Sequence, residues 1–265
     1  MKALLVDGLN LVRRIYAAVP DESTQAEDAG PLAGVVASST ASLRRALNRH
    51  SPSHCVAVFD RGGRNWRHEL YPDYKKNRPP MPEPLHSGLP QFEQAFGAIG
   101  VVCFSLDGYE ADDIIATVAV KIAKHGGHAL ILSTDRNYCQ LLGDNIKVFD
   151  HFGQRYLDAD MIKKRFQVEP RQLPDLLALA GDSGLSIPGV KTIGIRTAAK
   201  LLGDYGNLEK TLKAADHIPG KLGSKLHGGR EDARLAKTPF TLKTNVDLGI
   251  NLNQLRYHPP ESVSD

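Results

Sequence analysis

Five short apolar runs recur along the first half of the chain, and three of them lead into an aspartate. Residues 2–7 (KALLVD) and 55–60 (CVAVFD) end in Asp7 and Asp60, and residues 129–133 (ALILS) run into Asp135. Two further runs cover residues 101–104 and 146–149. Short runs that are apolar almost throughout are typical of strands buried on both faces of a parallel sheet. The pattern therefore predicts five strands in such a sheet.

Segments with helical periodicity lie between these apolar runs. Apolar positions recur at helical spacing in residues 35–49, 91–98 and 111–124. Strands that alternate with helices predict an α/β fold with a parallel sheet. Residues 61–90 are rich in Arg, Lys, Pro and Tyr but have no clean period, so they predict an ordered, irregular loop with room for one helix.

The second half of the chain has a different pattern, with helices and no apolar strand. Helices are predicted over residues 161–166, 173–180, 195–202 and 208–215, with the Gly-rich turn IPGVKTIG in their midst. A helix, a Gly-rich loop and a second helix form a common module for contacting nucleic-acid backbones. We therefore predict an α/β domain over residues 1–160, a helical DNA-binding region over 161–258 and a loose tail over 259–265. Residues 20–33 are also predicted to be loose.

Composition and charge narrow the class of protein. The chain has 265 residues, 42% hydrophobic and 24% charged, which is ordinary for a globular protein. Its three scattered cysteines predict neither a disulfide framework nor a zinc site. The N-terminus MKALLVDGLN does not resemble a secretory signal, and no run approaches the roughly 18 apolar residues of a membrane span. A cytoplasmic protein without membrane contact is expected.

The net charge of +3 is unevenly distributed. Residues 1–60 are neutral, 61–90 carry +3, 91–160 carry −5 and 161–265 carry +5. Such charges are usually solvated surface, but an acidic segment between two basic ones also suits a cation and a polyanion.

Acidic residues at strand ends are the first candidates for chemistry. Asp7, Asp60 and Asp135 follow three predicted strands, and the carboxyl ends of parallel strands meet at one edge of the sheet. A single Asp at such a place is more often a turn former or a helix cap. Three of them converging on one edge are harder to explain in that way.

A second acidic group begins a predicted helix. Capping and the helix dipole explain one or two acids at this position, but not three (Glu110, Asp112 and Asp113) beside other carboxylates. Clustered like charges raise one another's pKa and call for a cation. Mg²⁺, held by few carboxylates and several waters, is expected. Such a site activates water and stabilises a phosphoryl transition state.

Basic residues complement the acidic ones in two segments. In residues 61–90, Arg67, Lys75, Lys76 and Arg78 are candidates for phosphate contact, and Trp66, Tyr71 and Tyr74 for stacking on bases. The alternative is a solvated loop with incidental aromatic residues. The backbone N–H groups of residues 189–194 precede a helix with Lys191, Arg196 and Lys200, which suits a phosphate contact, although a plain turn explains them equally well.

Five motifs occur in the order typical of one family. They are DGLNLVRRI, RHELYPDYKKNRPPMP, GYEADDIIATVA, STDRNYCQLL and LPDLLALAGD followed by IPGVKTIG. In these motifs the chain resembles the bacterial and phage 5′-nucleases, or flap endonucleases, from Lys2 to about Leu255. The short length and the WRH and YCQLL stretches are similar to the free-standing Xni (exonuclease IX) branch. The resemblance implies an α/β parallel-sheet, PIN-like nuclease domain with a helical arch, and a C-terminal helix-three-turn-helix module.

The resemblance also implies site residues. The first metal cluster falls on Asp7, Asp60, Glu110, Asp112 and Asp113, with Asp112 as the direct Mg²⁺ ligand. Asp7 and Asp60 are grouped with the catalytic residues, together with Lys75 and Arg78, which handle the scissile phosphate. Asp135 and Asp182 bind Mg²⁺ directly or through water. A K⁺ site is implied at the backbone carbonyls of Leu179, Ala180, Pro188, Val190 and Ile193. The residues implied to contact the backbone of duplex DNA, called here the duplex-contacting residues, are Thr192, Ile193, Gly194, Ile195, Arg196 and Thr197.

The chain departs from the family pattern at two positions. The usual second acid of the loop near Asp135 is Asn137 here, and the usual second acid of the GD loop is Leu185. A neutral amide oxygen is a weaker ligand than a carboxylate, and leucine has no ligand atom. We therefore expect one firmly bound Mg²⁺ and a second that is weak or held through water.

The leading hypothesis is a magnesium-dependent flap endonuclease that cleaves 5′ single-stranded flaps at the junction with duplex DNA, in replication or repair. It is expected to act as a monomer without an obligate protein partner. One alternative is a structure-specific flap-binding protein with vestigial catalysis, because two acids are missing. A second is a ribonuclease of the related compact class with an acidic site, against which the C-terminal module argues.

Overall fold

A six-stranded sheet lies at the centre of the first part of the molecule. The computed structural model describes residues 1–18 and 32–259. The strand order is β3-β2-β1-β4-β5-β6; the first five strands run parallel, and β6 is antiparallel to β5. The strands are β1 (Lys2–Asp7), β2 (His54–Val58), β3 (Val102–Phe104), β4 (His128–Leu132), β5 (Ile146–Asp150) and β6 (Arg155–Tyr156).

Helices cover both faces of this sheet because side chains alternate along each strand. Leu4 and Val6 of β1 pack towards α1 (Gly8–Ala18), α2 (Ala33–His50) and α5 (Leu89–Gly97). Ala3 and Leu5 pack towards α6 (Ala111–Lys124). All four side chains are at most 1% exposed. The central strand is therefore buried on both sides, as its unbroken apolar run predicts.

The second part of the chain is helical and shares the core on the α6 side of the sheet. Its helices are α7 (Ala159–Phe166), α8 (Leu173–Ala180), α9 (Ile195–Tyr205), α10 (Leu208–Ala214), α11 (Gly220–Gly228) and α12 (Arg230–Phe240). A two-stranded hairpin, β7 (Gly181–Asp182) with β8 (Ile187–Pro188), follows α8. A side chain on Gly189 would place its Cβ 2.3 Å from the Gly181 nitrogen, so glycine is needed where the hairpin closes.

The five predicted strands and the seven predicted helices are confirmed, with shifts at several ends. The sequence patterns did not predict β6, the short β7–β8 hairpin or the helices α1, α11 and α12. Of the segment 20–33, only residues 32 and 33 are described, and Ala33 already begins α2. Of the predicted tail, only Pro259 lies inside the described residues.

The basic segment 61–90 contains less helix than the expected arch. It holds α3 (Trp66–Leu70) and α4 (Glu83–Ser87), each of five residues, and the start of α5 at Leu89. The chain between α3 and α4 forms turns. The turns span residues 72–77, and residues 79–82 have no regular structure. Three of the residues 79–82 are prolines, which lack the N–H group that a helix interior requires, so no helix runs through them. In the described residues, no helix is both long and apolar enough to cross a membrane.

Candidate active site

A cleft of about 990 Å³ lies at the carboxyl ends of β1, β2 and β4. Its acidic lining residues are Asp7, Asp60, Glu110, Asp112, Asp135 and Asp182. Its basic lining residues are Arg13, Arg14, Arg67, Lys75, Arg78 and Arg136. The structure thus brings together every predicted carboxylate except Asp113. The arginines of α1 had no role in the sequence analysis, although they follow Asp7 within the DGLNLVRRI motif.

Asp7 ends β1 and is 7% exposed. Its Oδ1 accepts a hydrogen bond from the Asn10 backbone N–H at 3.0 Å, and its Oδ2 accepts one from the Ser133 hydroxyl at 2.9 Å. Burial raises the pKa of Asp7 to about 7; the two hydrogen bonds oppose this, while Asp60 and Asp135 add to it. A cation bound here would lower the free-energy cost of keeping this buried carboxylate ionised.

Asp112 and Asp7 both lie near the hydroxyl group of Tyr138. The buried hydroxyl of Tyr138 donates to Asp112 Oδ1 at 2.8 Å and lies 3.5 Å from Asp7 Oδ2. Burial raises the pKa of Asp112 well above its usual value, and the charges of Asp135, Asp7 and Glu110 raise it further. No sequence pattern singled out Tyr138, although it lies within the STDRNYCQLL motif. Its hydroxyl orients Asp112 by hydrogen bonding and lies beside Asp7.

Asp60 and Asp135 follow the carboxyl ends of β2 and β4, and each accepts a backbone hydrogen bond near the start of a helix. Asp60 Oδ1 accepts a hydrogen bond of 2.5 Å from the Ala111 N–H at the start of α6. Burial raises the pKa of Asp60 despite that bond. Asp135 is exposed and caps a short 3₁₀ helix, with its Oδ1 accepting from the Asn137 N–H at 2.7 Å. Each carboxylate therefore caps a helix as well as lining the cleft, Asp135 the helix that follows it and Asp60 the distant start of α6.

Glu110 differs from these residues because cations already surround it. Its Oε1 lies 2.6 Å from Lys75 Nζ, and its Oε2 lies 3.2 Å from Arg67 Nη1 and 3.0 Å from the Tyr74 hydroxyl. Burial alone would raise the pKa of Glu110, but Lys75 and Arg67 outweigh it and the pKa lies below the usual value. The ion pair places the Lys75 ammonium at the edge of the cleft.

The position of Asp113 corrects the expectation that it joins the metal cluster. It is fully buried and does not line the cleft. Arg67 donates to both of its oxygens, at 2.6 and 2.9 Å, and Trp66 Nε1 and the Lys243 backbone N–H donate at 2.9 and 3.0 Å. Four donors occupy the carboxylate. Asp113 therefore joins α3, α6 and the chain after α12.

Three residues of the basic segment have roles other than those expected of them. Arg67 is 1% exposed and bonded to Asp113 and the Pro239 carbonyl, so it cannot contact a phosphate. The Arg67 guanidinium and the Lys243 ammonium lie 4.4 and 4.2 Å from the centre of the Trp66 ring, and Tyr74 is 5% exposed. Neither ring is free to stack on a base. Lys76 and Arg78 remain exposed.

The loop that carries Asp182 touches the basic segment. Asp182 Oδ1 accepts from the Leu185 N–H at 2.9 Å, and the Leu185 carbonyl accepts from the Lys75 N–H at 2.9 Å. Lys75 has a φ of 57°, a left-handed conformation that non-glycine residues rarely adopt. Leu185, where the family pattern has an acid, thus helps to hold Lys75 in place through its backbone.

The carboxylate arrangement fits a hydrated hard cation. Asp7 and Asp112 both lie near the Tyr138 hydroxyl and have raised pKa values, and no basic side chain forms a salt bridge with either in the described residues. Within residues 1–18 and 32–259, no three His, Cys, Asp or Glu side chains are arranged as a direct ligand set. Mg²⁺ suits such a site because it keeps several of its waters.

The Gly-rich turn brings the expected K⁺ carbonyls into one region. The β7–β8 pairing places Gly181 opposite Pro188, and the Val190 N–H donates to the Leu179 carbonyl at 2.8 Å. The Val190 carbonyl accepts from the Ile193 N–H at 2.9 Å. Two of the five carbonyls thus already accept one hydrogen bond, and each retains a second lone pair.

The duplex-contacting residues begin at a left-handed turn and continue into α9. Thr192 has a φ of 67°, and its hydroxyl accepts a hydrogen bond from Lys225 Nζ. Gly194 is the N-cap of α9. Ile193 is 3% exposed, so only its backbone could contact DNA. Arg196 is exposed on the first turn of the helix.

The raised pKa of Asp7 predicts a pH-dependent stability for the metal-free protein. The folded pKa of about 7 exceeds the unfolded value of about 3.9. The proton-linked stabilisation is therefore complete below pH 4 and is lost as the pH rises through 7. In EDTA, the Tm of the wild type should fall relative to Asp7→Asn by about 5 °C between pH 5 and pH 8. Parallel Tm curves would contradict this, and Mg²⁺ should reduce the difference.

Comparison with known proteins agrees with this architecture. Residues 2–167 match the family model described as 5'-3' exonuclease, N-terminal resolvase-like domain, and residues 168–263 match 5'-3' exonuclease, C-terminal SAM fold. The chain is 44% identical over 257 residues to Flap endonuclease Xni of Cronobacter sakazakii, covering 96% of this chain and 98% of that protein. It is 40% identical over 262 residues to Flap endonuclease Xni of Vibrio parahaemolyticus, covering 98% of each.

Solved structures show the same fold. T5 5'-exonuclease with bound zinc ions is 25% identical and superposes with a TM-score of 0.74, covering 92% of this chain and 90% of that one. The catalytic core of Rad2 in complex with DNA substrate is 15% identical and has a TM-score of 0.60, covering 98% and 84%. With both family models matched and relatives aligned end to end, the chain belongs to the 5'-3' exonuclease family of metal-dependent nucleases.

Proposed function

We propose that this chain is a magnesium-dependent flap endonuclease that cleaves 5′ single-stranded flaps at their junction with duplex DNA. The observation that carries the proposal is the cleft, in which six carboxylates line the same cavity as Lys75 and Arg78. The family relatives named flap endonuclease cover nearly the whole chain and support the same substrate.

Asp112 and Asp7 are the proposed direct ligands of the first Mg²⁺, with Asp60 and Glu110 acting through water. When bound, Mg²⁺ supplies an activated water and stabilises charge on the phosphoryl group. The Tyr138 hydroxyl orients Asp112, and the Asn10 N–H and the Ser133 hydroxyl orient Asp7. This arrangement needs little reorganisation at the moment of reaction, which is the main source of electrostatic catalysis.

Lys75 and Arg78 are the proposed phosphate-handling residues. The Lys75 ammonium is already oriented by Glu110 at 2.6 Å, and its backbone is held by Leu185. Arg78 is exposed and lines the same cleft, where it can meet a phosphate without losing an existing partner. The two cations would stabilise negative charge that develops on the scissile phosphate.

Asp135 and Asp182 are the proposed ligands of a second, weaker Mg²⁺. Asn137 offers only a neutral oxygen, which already accepts from Gln140 Nε2 at 2.7 Å. Leu185 offers no ligand. The second ion therefore depends on water and on DNA phosphate oxygens, so its affinity should be higher in the presence of substrate.

The Gly-rich turn is proposed to hold the duplex through K⁺. The carbonyls of Leu179, Ala180, Pro188, Val190 and Ile193 would coordinate the ion, and residues 192–197 would contact the backbone. Backbone contacts of this kind carry no sequence information, which suits a nuclease that recognises DNA shape. The protein is proposed to act as a cytoplasmic monomer that needs no protein partner.

Cleavage of labelled DNA tests the proposal. With Mg²⁺, a 5′-flap duplex should be cut within a few nucleotides of the junction, and EDTA should abolish the reaction. A blunt duplex and a free single strand of the same sequence serve as control substrates and should be cut more slowly.

The other outcomes separate the alternatives. Tight flap binding without cutting would favour a structure-specific binding protein, for which the loss of acids at positions 137 and 185 argues. Faster cutting of a matched RNA flap would favour a ribonuclease. Replacing K⁺ with Na⁺ at equal ionic strength should weaken duplex binding, and unchanged affinity would argue against the K⁺ site.

A further inference from the structure

Two exposed aromatic rings lie on the hairpin formed by β5 and β6. In the described part of the chain, four large hydrophobic side chains are exposed: Met1, Phe152, Tyr156 and Leu235. Phe152, in the turn of the hairpin, is 38% exposed, and Tyr156, on β6, is 47% exposed. Folding would ordinarily bury rings of this size, so their exposure together on one hairpin indicates a binding surface.

Positive charges surround these rings. The Arg14 guanidinium lies 5.1 Å from the centre of the Phe152 ring, and Lys147 Nζ lies 5.8 Å from that of Tyr156. Arg49 lies 4.7 Å from the ring of Phe149, which packs edge-on against Tyr156 at 5.1 Å. We call Arg14, Arg49, Lys147, Phe152 and Tyr156 the hairpin surface.

The nearby acid does not cancel this positive charge. Asp150 is 9% exposed, and its Oδ1 accepts hydrogen bonds from the backbone N–H groups of Phe152 and Gly153. Its Oδ2 lies 3.8 Å from Arg155 Nε. The carboxylate is therefore used to form the turn, and the exposed charges of the hairpin surface are cationic.

The hairpin surface is continuous with the cleft. Arg14 lines the cleft and also covers Phe152. The turn that holds Phe152 follows the carboxyl end of β5, which is parallel to β1 and β4, so it lies at the same edge of the sheet as Asp7. A chain that leaves the cleft past Arg14 would meet the Phe152 ring, and the Tyr156 ring lies farther along the same hairpin.

We propose that the hairpin surface binds single-stranded DNA, as the path of the substrate's unpaired strand beyond the cleft. Flat exposed rings beside cations are the features with which proteins bind single strands, because every unpaired base can stack and every linkage carries a negative charge. A duplex would present its phosphates to the cations but no base face to the rings. The identity of this strand as a flap rests on the proposed function, whereas the binding of single strands does not.

Binding of a fluorescent oligothymidylate in EDTA tests the surface without catalysis. Phe152→Ala and Tyr156→Leu should each weaken binding at least about fivefold, and the double variant should weaken it further. Tyr156→Phe should bind like the wild type because it keeps the ring. Leu235→Ala is the matched control, since Leu235 is 45% exposed but lies on α12.

Flap length provides the second readout. On flaps with a 20-nucleotide arm, the double variant should lose kcat/KM about as much as it loses affinity for single strands, whereas flaps with a two-nucleotide arm should be cut normally. Single-strand affinity within twofold of the wild type, in a variant with an unchanged Tm, would overturn the inference. Loss of single-strand binding in a protein that cuts no flap would sustain it and refute the proposed function instead.

Discussion

Asp112→Asn is expected to lower the rate of flap cleavage by about a thousandfold or more and to leave flap affinity within a few fold. Asp112 is a partly buried carboxylate near three others whose charges raise its pKa, so a cation beside it would relieve their repulsion. Losing this ligand removes on the order of 4 kcal/mol of transition-state stabilisation. Single-turnover cleavage and fluorescence anisotropy measure the two quantities separately.

The metal-free variant should also be more stable than the wild type. Removing one negative charge from the cluster relieves repulsion, so the Tm in EDTA should rise by a few degrees, and the increase caused by Mg²⁺ should largely disappear. Asp107→Asn is the matched control. Asp107 lies three residues before Glu110 in the chain, but its carboxylate is exposed and forms an ion pair with Arg61. Cleavage by Asp112→Asn at the wild-type rate would refute the assignment of the metal ligand.

Arg67→Ala is expected to destabilise the protein by about 3–5 kcal/mol, or on the order of 10 °C in Tm. The loss leaves the Asp113 carboxylate buried without its bidentate partner, and it also leaves the Pro239 carbonyl without its donor. Removing one member of a buried ion pair costs more than the pair itself contributes. Thermal or urea unfolding gives the measurement.

A double-mutant cycle isolates this pair. Arg67→Met with Asp113→Leu should cost clearly less than the sum of the two single substitutions, since no unpaired charge remains. Arg61→Ala should cost less than about 1 kcal/mol, because its pair with Asp107 is exposed. A loss at Arg67 as small as that at Arg61 would show that the buried pair is not needed for stability.

The parallel sheet and the acidic edge could be predicted from the sequence because both depend on local patterns. An unbroken apolar run identifies a buried strand, and the carboxyl ends of parallel strands meet by geometry. The convergence of Asp7, Asp60 and Asp135 on one cleft follows from these two rules. The α/β fold class is confirmed for the same reason.

The different positions of Asp112, which lines the cleft, and Asp113, which is buried outside it, could not be predicted in this way. Adjacent residues on a helix point about 100° apart, so only one of the two can face the cleft. The sequence places both at the start of α6 but does not reveal which side the sheet edge and α3 occupy. Asp113 is buried because Arg67, Trp66 and Lys243 converge on it.

Long-range contacts also explain the misassigned basic residues. Arg67 lies in a segment that is rich in solvated charges, and its Nε partner is the carbonyl of Pro239, 172 positions along the chain. No local sequence pattern predicts a contact between residues so far apart in the chain. Helix α12 itself was missed because REDARLAKTPF is mostly polar and contains a proline. The K⁺ carbonyls, the domain boundaries and the roles of the site residues stay predictions.

The position of Trp66 makes it an optical reporter for the molecule. It is the only tryptophan of the chain. The cations of Arg67 and Lys243 contact its indole ring, and its Nε1–H donates to Asp113, where α3, α6 and the chain after α12 meet. Intrinsic tryptophan emission therefore comes from one junction between the two family regions. Separation of these regions would change the emission wavelength without any attached dye.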